Sequence, residues 1–405
     1  MRHGSTLRYA NLSRGLIGSG HRVHFAVANA PGSDRRLRNE FLTRLRTESC
    51  ITDFFEVDAP IYPKTLSKIA RRMIHPWLGD RMLRNCREGY GTAVLNLLAQ
   101  TRADVCIVSD RKYLFVVPEL RRRAPVLIDW CDSETVYAYR EIRLHRQAGK
   151  ARKAISRLNM LVRAAGEERY YGRRSSGNIV VSPGDKRCLD WLNRMPERNR
   201  VLLNGVDPSA LRDPAAMLAK DPDTLIFTGS MCFPPNYQAA LWFIDHVMPL
   251  LIQRHPTVRL TVAGQEPVPE LVAQAGNRID VTAFVPDLFC RIARTQLYVA
   301  PMQSGTGFRN KIVEALANGT YVIGTPMALE FLGEDLRNKL LVADSAESFA
   351  DRILEFLKNP GAYSQRLREA TEIVRKEYSW DLRASELEAL CRWAAQTDHK
   401  TNMTY

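Results

Sequence analysis

The sequence predicts an α/β protein made of two Rossmann-like domains. Three observations lead there. Short apolar runs alternate with helical periodicities along both halves, a pattern that calls for parallel sheets joined by right-handed crossovers. The 405 residues are ample for two cores of ordinary domain size. A turn-rich stretch at Asn204–Pro222, NGVDPSALRDPAAMLAKDP, breaks the periodicity near the middle.

In the first half the strands are expected at Arg22–Ala28, Phe55–Ala59, Ala103–Ser109, Pro125–Asp129, Asn178–Ser182 and Val201–Asn204, with a long helix over Lys150–Tyr171. In the second half they are expected at Thr224–Thr228, Val258–Ala263, Ile279–Thr282, Leu297–Ala300, Tyr321–Gly324 and Lys339–Val342. Helices over Gln238–Gln253 and Arg309–Asn318 lie between them. The start is unusual. A doubly wound domain opens on a buried strand that leads into a glycine turn and a helix. Here Arg2-His3-Gly4-Ser5 stands directly before a helical pattern of Leu7, Leu12, Leu16 and Ile17. The expectation is a first domain whose opening strand is missing, in a truncated or mis-started frame.

Composition narrows the class. Hydrophobic residues are 45% and charged residues 25%, an ordinary globular balance. No apolar run approaches the roughly 18 residues of a membrane span, and the first residues lack the apolar stretch of a signal peptide. A cytoplasmic protein is expected. The cysteines at 50, 86, 106, 131, 188, 232, 290 and 391 form no CxxC pair and no Cys/His cluster, so neither zinc nor a disulfide framework is expected. Charge is lopsided. Residues 1–200 carry 38 Lys and Arg against 20 Asp and Glu, a net +18, whereas residues 201–405 carry 20 against 24, a net −4. A basic half suits phosphates, whether on a substrate or on an anionic membrane face. No nucleic-acid-binding motif accompanies it.

The segment that carries chemistry is Tyr298–Thr325, YVAPMQSGTGFRNKIVEALANGTYVIGT. A strand ends at Pro301, and the loop Ser304-Gly305-Thr306-Gly307 follows. A helix then runs from about Phe308 to Asn318 and stops at Gly319. Phe308, Ile312, Val313 and Leu316 form its core stripe; Arg309, Lys311 and Glu314 lie off it. Glycines let a backbone approach a ligand closely, and free amides at a helix N-terminus favour anions. Arg309 and Lys311 can add charge-assisted bonds to phosphate oxygens. Glu314, about two turns in, can accept hydrogen bonds from a ribose. The pattern suits a nucleotide diphosphate, and ordinary surface charge on a helix is the competing reading.

These stretches resemble family 4 retaining glycosyltransferases, which have the GT-B fold. The resemblance in residues 223–385 rests on Phe227-Thr-Gly-Ser-Met231, Pro234-Pro-Asn236, Leu260–Gly264, Phe284-Val-Pro-Asp287, the glycine loop with Glu314-Ala-Leu-Ala-Asn-Gly319, and Tyr378-Ser-Trp-Asp381. The first half is similar more loosely, through Gly20-His-Arg-Val-His24, Asp129-Trp-Cys-Asp-Ser133 and Asn204-Gly-Val-Asp207. Sugar transferases of bacterial polysaccharide and exopolysaccharide pathways look nearest.

The resemblance implies two Rossmann-like domains with parallel sheets facing across a cleft. Residues 1–203 would be the acceptor domain, 204–222 a linker, 223–378 the donor domain, and 379–397 a helix packing back on the first domain. It implies that Glu314 binds the donor ribose, that Gly229 and Ser230 face the diphosphate, and that Phe284 and Val285 meet the base. Gly305, Thr306 and Gly307 would lie beside the donor sugar; the family's first glutamate is Thr306 here. The turn after Thr228 lacks the family's usual Arg and Lys, so Arg309 and Lys311 must supply positive charge to the leaving diphosphate. No histidine follows the strand Pro125–Asp129. Asp132 is the polar group best placed to act on sugar or acceptor, and an N-cap for the next helix is its competing role.

The expected partners are a nucleotide-sugar donor and a glycan or lipid-linked acceptor, without metal or other cofactor and without nucleic acid. The segment Lys64–Arg87 interleaves Leu66, Ile69, Trp77 and Leu78 with basic residues, which suits peripheral contact with the inner face of an anionic membrane. Two rival readings are a non-catalytic glycosyltransferase-like protein and a nucleotide-sugar epimerase on the same fold.

Overall fold

A computed structural model describes residues 4–29, 43, 47, 53–60, 84–206 and 219–402. The chain divides into two compact units, Met1–Asn204 with Trp380–Tyr405, and Gly205–Ser379. Twelve strands are present among the described residues, each overlapping a stretch the apolar patterning marks. No helix among them is long and apolar enough to cross a membrane.

In the first unit the described chain opens on the helix Gly4–Gly18. Strands β1 (His24–Asn29) and β2 (Asp53–Asp58) pair in parallel as a two-stranded sheet. Strands β3 (Cys106–Val108), β4 (Val126–Cys131), β5 (Gly177–Val180) and β6 (Asn199–Val201) form a second parallel sheet in that order. β4 is buried nearly end to end, as a strand covered on both faces must be. Val108, Val126, Ile128 and Val180 face one core. Leu127, Ile179 and Leu202 face another, completed by Leu12 and by Trp380 and Leu387 of the helix Trp380–Asn402. That helix crosses Gly4–Gly18 so closely that any side chain at Gly15 would overlap Ala384.

A buried ion pair fastens this unit. The Arg8 Nε lies 2.8 Å from Asp129 Oδ2, with both side chains shielded from solvent. The same guanidinium donates to the carbonyl of Leu202 at 3.1 Å and to Asn204 Oδ1 at 2.7 Å. Removing a charge of this sort from water is costly unless an opposite charge and hydrogen bonds offset it, and Arg8 gathers such partners from the ends of β4 and β6.

The second unit holds one six-stranded parallel sheet in the order β12-β11-β10-β7-β8-β9. Its strands are β7 (Asp221–Thr228), β8 (Arg259–Ala263), β9 (Ile279–Thr282), β10 (Thr295–Ala300), β11 (Tyr321–Gly324) and β12 (Leu341–Val342). From β7 the chain winds outward through β8 and β9, then returns to β10 on the other side of β7 and winds outward again. Strand order therefore reverses between β7 and β10, where α/β sheets open a crevice at the carboxyl ends of their strands.

The segment Lys64–Arg87 lies almost wholly outside the described residues, as does most of 204–222.

Candidate functional site

The carboxyl ends of β7 and β10 bring together the segments the sequence marks. After β7 the chain turns at Gly229, which has φ 155°. A Cβ there would stand 2.7 Å from Asn236 Nδ2 and 3.0 Å from Lys311 Nζ, so a side chain would strain the backbone and displace both groups. Gly264, at the end of β8, presses so closely on the Gly229 carbonyl that it too has no room for a side chain. After β10 the loop reaches Gly305 (φ 97°) and Gly307 (φ 78°), backbone conformations that glycine adopts without strain.

The following helix, Asn310–Ala317, begins two residues later than the pattern suggests, with Arg309 at its N-cap. Ile312, Val313, Ala315 and Leu316 anchor it in the core. Its charged residues are not a solvated face. Arg309 is buried, 6% exposed, and donates through Nη1 to the Gly307 carbonyl at 2.8 Å, which braces the glycine loop. The Lys311 ammonium lies 4.4 Å from the centre of the Phe227 ring and donates to Asn236 Oδ1 at 2.7 Å. It makes no ion pair among the described residues. Burial, reinforced by the positive charge of Arg309 and opposed by Glu314, brings the Lys311 pKa down to about 7. Glu314 is half-buried, and its charge also acts on Tyr298.

Two groups absent from the expected set complete this arrangement. Asn236, in the first turn of the helix Pro234–Trp242, accepts from Lys311 and donates through Nδ2 to the Ser230 carbonyl at 2.9 Å. It thus ties the turn after β7 to the cation on another helix. The signal available for it was an asparagine just after a Pro-Pro helix start, close to a Gly-Ser turn. The Tyr298 hydroxyl, on β10, accepts from the Thr228 amide at 3.2 Å and meets the Thr228 hydroxyl at 2.9 Å, which joins the two central strands at their ends.

Gly229, Ser230, Gly305, Thr306, Gly307, Arg309, Lys311 and Glu314 therefore occupy one rim. Val285 stands on the same rim at the end of the edge strand β9, two strands from β7. Its neighbour Phe284 is 75% exposed, and the Phe284 carbonyl accepts from the Thr282 hydroxyl at 3.1 Å. Among the described residues no group of three or more His, Cys, Asp or Glu side chains is gathered to hold a metal ion.

The rim joins a helix N-terminus, glycine turns and two cations, the ingredients of a diphosphate site. Residues 222–359 match the family model described as glycosyl transferases group 1. The second unit carries a glycosyl transferases group 1 domain. Across the whole chain the fold is GT-B. Anabaena HepE, solved in complex with UDP-glucose, superposes with a TM-score of 0.62 over 98% of this chain and 96% of that one, at 15% identity. A protein of the cps region of Klebsiella pneumoniae is 25% identical over 163 residues, 38% of this chain and 42% of that protein. The phosphatidyl-myo-inositol mannosyltransferase of Mycolicibacterium smegmatis is 24% identical over 229 residues, 54% of this chain and 58% of that one. The chain thus spans about half the length of these curated relatives.

Asp132 belongs to the first unit. It is exposed just beyond β4, and the capping role falls to its neighbour: the Ser133 hydroxyl accepts from the Val136 amide at 3.2 Å and donates to the buried Glu168 at 2.8 Å. Asp185 lies close by. Burial pushes its carboxyl up to about 7, with the charge of Asp132 adding to the rise and hydrogen bonds from Ser182 and the Ser133 amide opposing it.

Proposed function

We propose that the chain is a glycosyltransferase that moves a hexose-type sugar from a nucleotide-sugar donor to a glycan or lipid-linked acceptor, with retention, in polysaccharide biosynthesis. The observation that carries this reading is the convergence of Arg309, Lys311 and the glycine turns 229 and 305–307 at the strand-order reversal of the glycosyl transferases group 1 domain. HepE, described with UDP-glucose, and a relative described as a mannosyltransferase support a hexosyl donor.

In this reading the bond between the sugar and the diphosphate breaks, and its electron pair leaves with the diphosphate. The charge that develops is met by the protonated Lys311, by Arg309 and by the amides that open the helix Asn310–Ala317, so catalysis is mainly electrostatic and positional. Glu314 accepts from the ribose hydroxyls, Val285 meets the base, Thr306 meets the sugar, and Asp132 serves the acceptor. These groups need no metal to neutralise the leaving group. Membrane contact through Lys64–Arg87 would bring a lipid-linked acceptor within reach.

A screen of UDP-, GDP-, ADP- and TDP-sugars by thermal shift and by diphosphate release tests the proposal. One donor class should stabilise the protein and be hydrolysed slowly. A folded protein indifferent to every donor would overturn it in favour of a non-catalytic relative.

A further inference from the structure

The helical hairpin of the first unit, Glu134–Gln147 and Ala151–Gly172, presents a face that belongs neither to the core nor to the proposed site. Ala154, Ala164, Glu168 and Tyr171 bury the inner side of its second helix. Along one flank of that helix Ile155, Leu158 and Val162, spaced three and four apart, form one stripe and are 65%, 47% and 43% exposed. The ion pairs Arg157–Glu141 (3.9 Å) and Arg163–Glu134 (3.8 Å) fix the antiparallel register of the two helices. That register sets Tyr139, 57% exposed, level with Leu158.

The charges of the hairpin are segregated. Residues 134–172 contain nine Arg and Lys against four Glu. Glu141 and Glu168 are buried, while Glu134 and Glu167 pair with Arg111 at 3.0 and 3.6 Å. No acid is left for the outer side, where Arg146, Lys150, Arg152 and Lys153 stand exposed around the hairpin turn. Aliphatic side chains in water beside a ring of cations fit a partner that is apolar a few ångströms below an anionic surface. A second copy would bring like charges together, and a nucleic acid offers nothing to three aliphatic side chains.

We propose that this face docks on an anionic lipid bilayer, with Ile155, Leu158 and Val162 entering the interface and the surrounding Arg and Lys meeting headgroup phosphates. The existence of this surface does not depend on the donor reading.

The test is co-sedimentation of the full chain with vesicles of phosphatidylcholine alone or mixed equally with phosphatidylglycerol. Binding is expected only to the mixed vesicles, weakening as salt is added. Combined Ile155→Ser, Leu158→Ser and Val162→Ser, and separately Arg146→Gln, Arg152→Gln and Lys153→Gln, should each weaken it by about tenfold or more while leaving the unfolding midpoint in place. Failure to bind mixed vesicles, or undiminished binding by the triple serine variant, would overturn the proposal. So would a dimer that the serine variant dissolves, which would mark a self-association face. Duplex DNA bound equally by wild type and the serine variant, in place of vesicles, would mark a nucleic-acid face and overturn it as well.

Discussion

Each unit carries a desolvated cation at the carboxyl end of its sheet, and the two are held in opposite ways. In the first unit Arg8 is fully enclosed with a carboxylate of its own, Asp129, and its Nη1 donates to the Leu202 carbonyl and to Asn204. In the second unit the partners of Lys311 are neutral: an amide oxygen, a thioether and an aromatic face. Burial costs both of them hydration. Arg8 recovers that cost internally, and its pKa is raised despite enclosure because Asp129 acts on it. Lys311 does not recover it, and its pKa falls. The difference separates a cation whose counter-charge lies within the fold from one held by neutral groups alone, which in the proposed function is the one that meets an incoming anion.

The largest effect should come from breaking the first arrangement. Arg8→Ala leaves Asp129 enclosed without its counter-charge and should cost about 3–5 kcal/mol of stability, read from denaturant unfolding. Lys311→Met should behave in the reverse manner. It removes a poorly solvated charge, so the unfolding midpoint should hold or rise, while affinity for a nucleoside diphosphate falls by roughly 10- to 100-fold, as expected for one charge-assisted hydrogen bond. The loss should be smaller for the intact donor, which carries less charge at that position.

The pH dependence gives the comparison a sign. Lys311 sits at about 7, below the ordinary lysine value of 10.5. Its neutral form is favoured by folding, so this contribution to stability is complete above the unfolded value and is lost as pH falls towards 7. A bound diphosphate favours the charged form. Binding should therefore take up a proton above pH 7 and weaken as pH rises, approaching about tenfold per pH unit, a trend that Lys311→Met abolishes.

The first unit has a mirror case in Asp185, an enclosed acid held by a hydroxyl and an amide rather than by an ion pair. Its raised value means that the stability it contributes is present below the unfolded carboxylate range and is lost as pH rises through about 7. Asp185→Asn should flatten the decline in stability between pH 4 and 8, on the order of 2 kcal/mol. The smallest effect is expected from Asn236→Ala, which frees Lys311 and the turn at Ser230. Diphosphate affinity should drop by several-fold, about 1 kcal/mol, and Asn236→Gln should not restore it because the longer amide overshoots both partners.

What was readable in the sequence follows the same division. Strands and the glycine loop are local signals. The stretch at Ile279–Thr282 and the one at Tyr321–Gly324 coincide with β9 and β11 residue for residue: the edge strand β9 is written as apolar–polar alternation, and the buried β11 as consecutive apolar residues. The positions of Arg309 and Lys311 were readable as charges off a helical stripe, but their burial was not, since it depends on Phe227 and Gly229 from a distant strand end. The contacts that decide their roles span long separations. Arg8 finds Asp129 121 residues away, and Lys311 finds Asn236 75 residues away. No periodicity reports such partners. Asp132 shows a nearer limit: pattern alone left it as a candidate cap, and the cap proved to be Ser133, one residue on.

The most direct test of the central claim, that the rim around Lys311 receives the diphosphate of a nucleotide, is calorimetric titration of UDP, GDP and ADP at pH 8 in two buffers of different ionisation enthalpy. The wild type should bind one of them with net proton uptake, and Lys311→Met should bind it far more weakly with no uptake. Equal affinity in the two proteins, or no binding of any nucleotide to the folded wild type, would contradict the account.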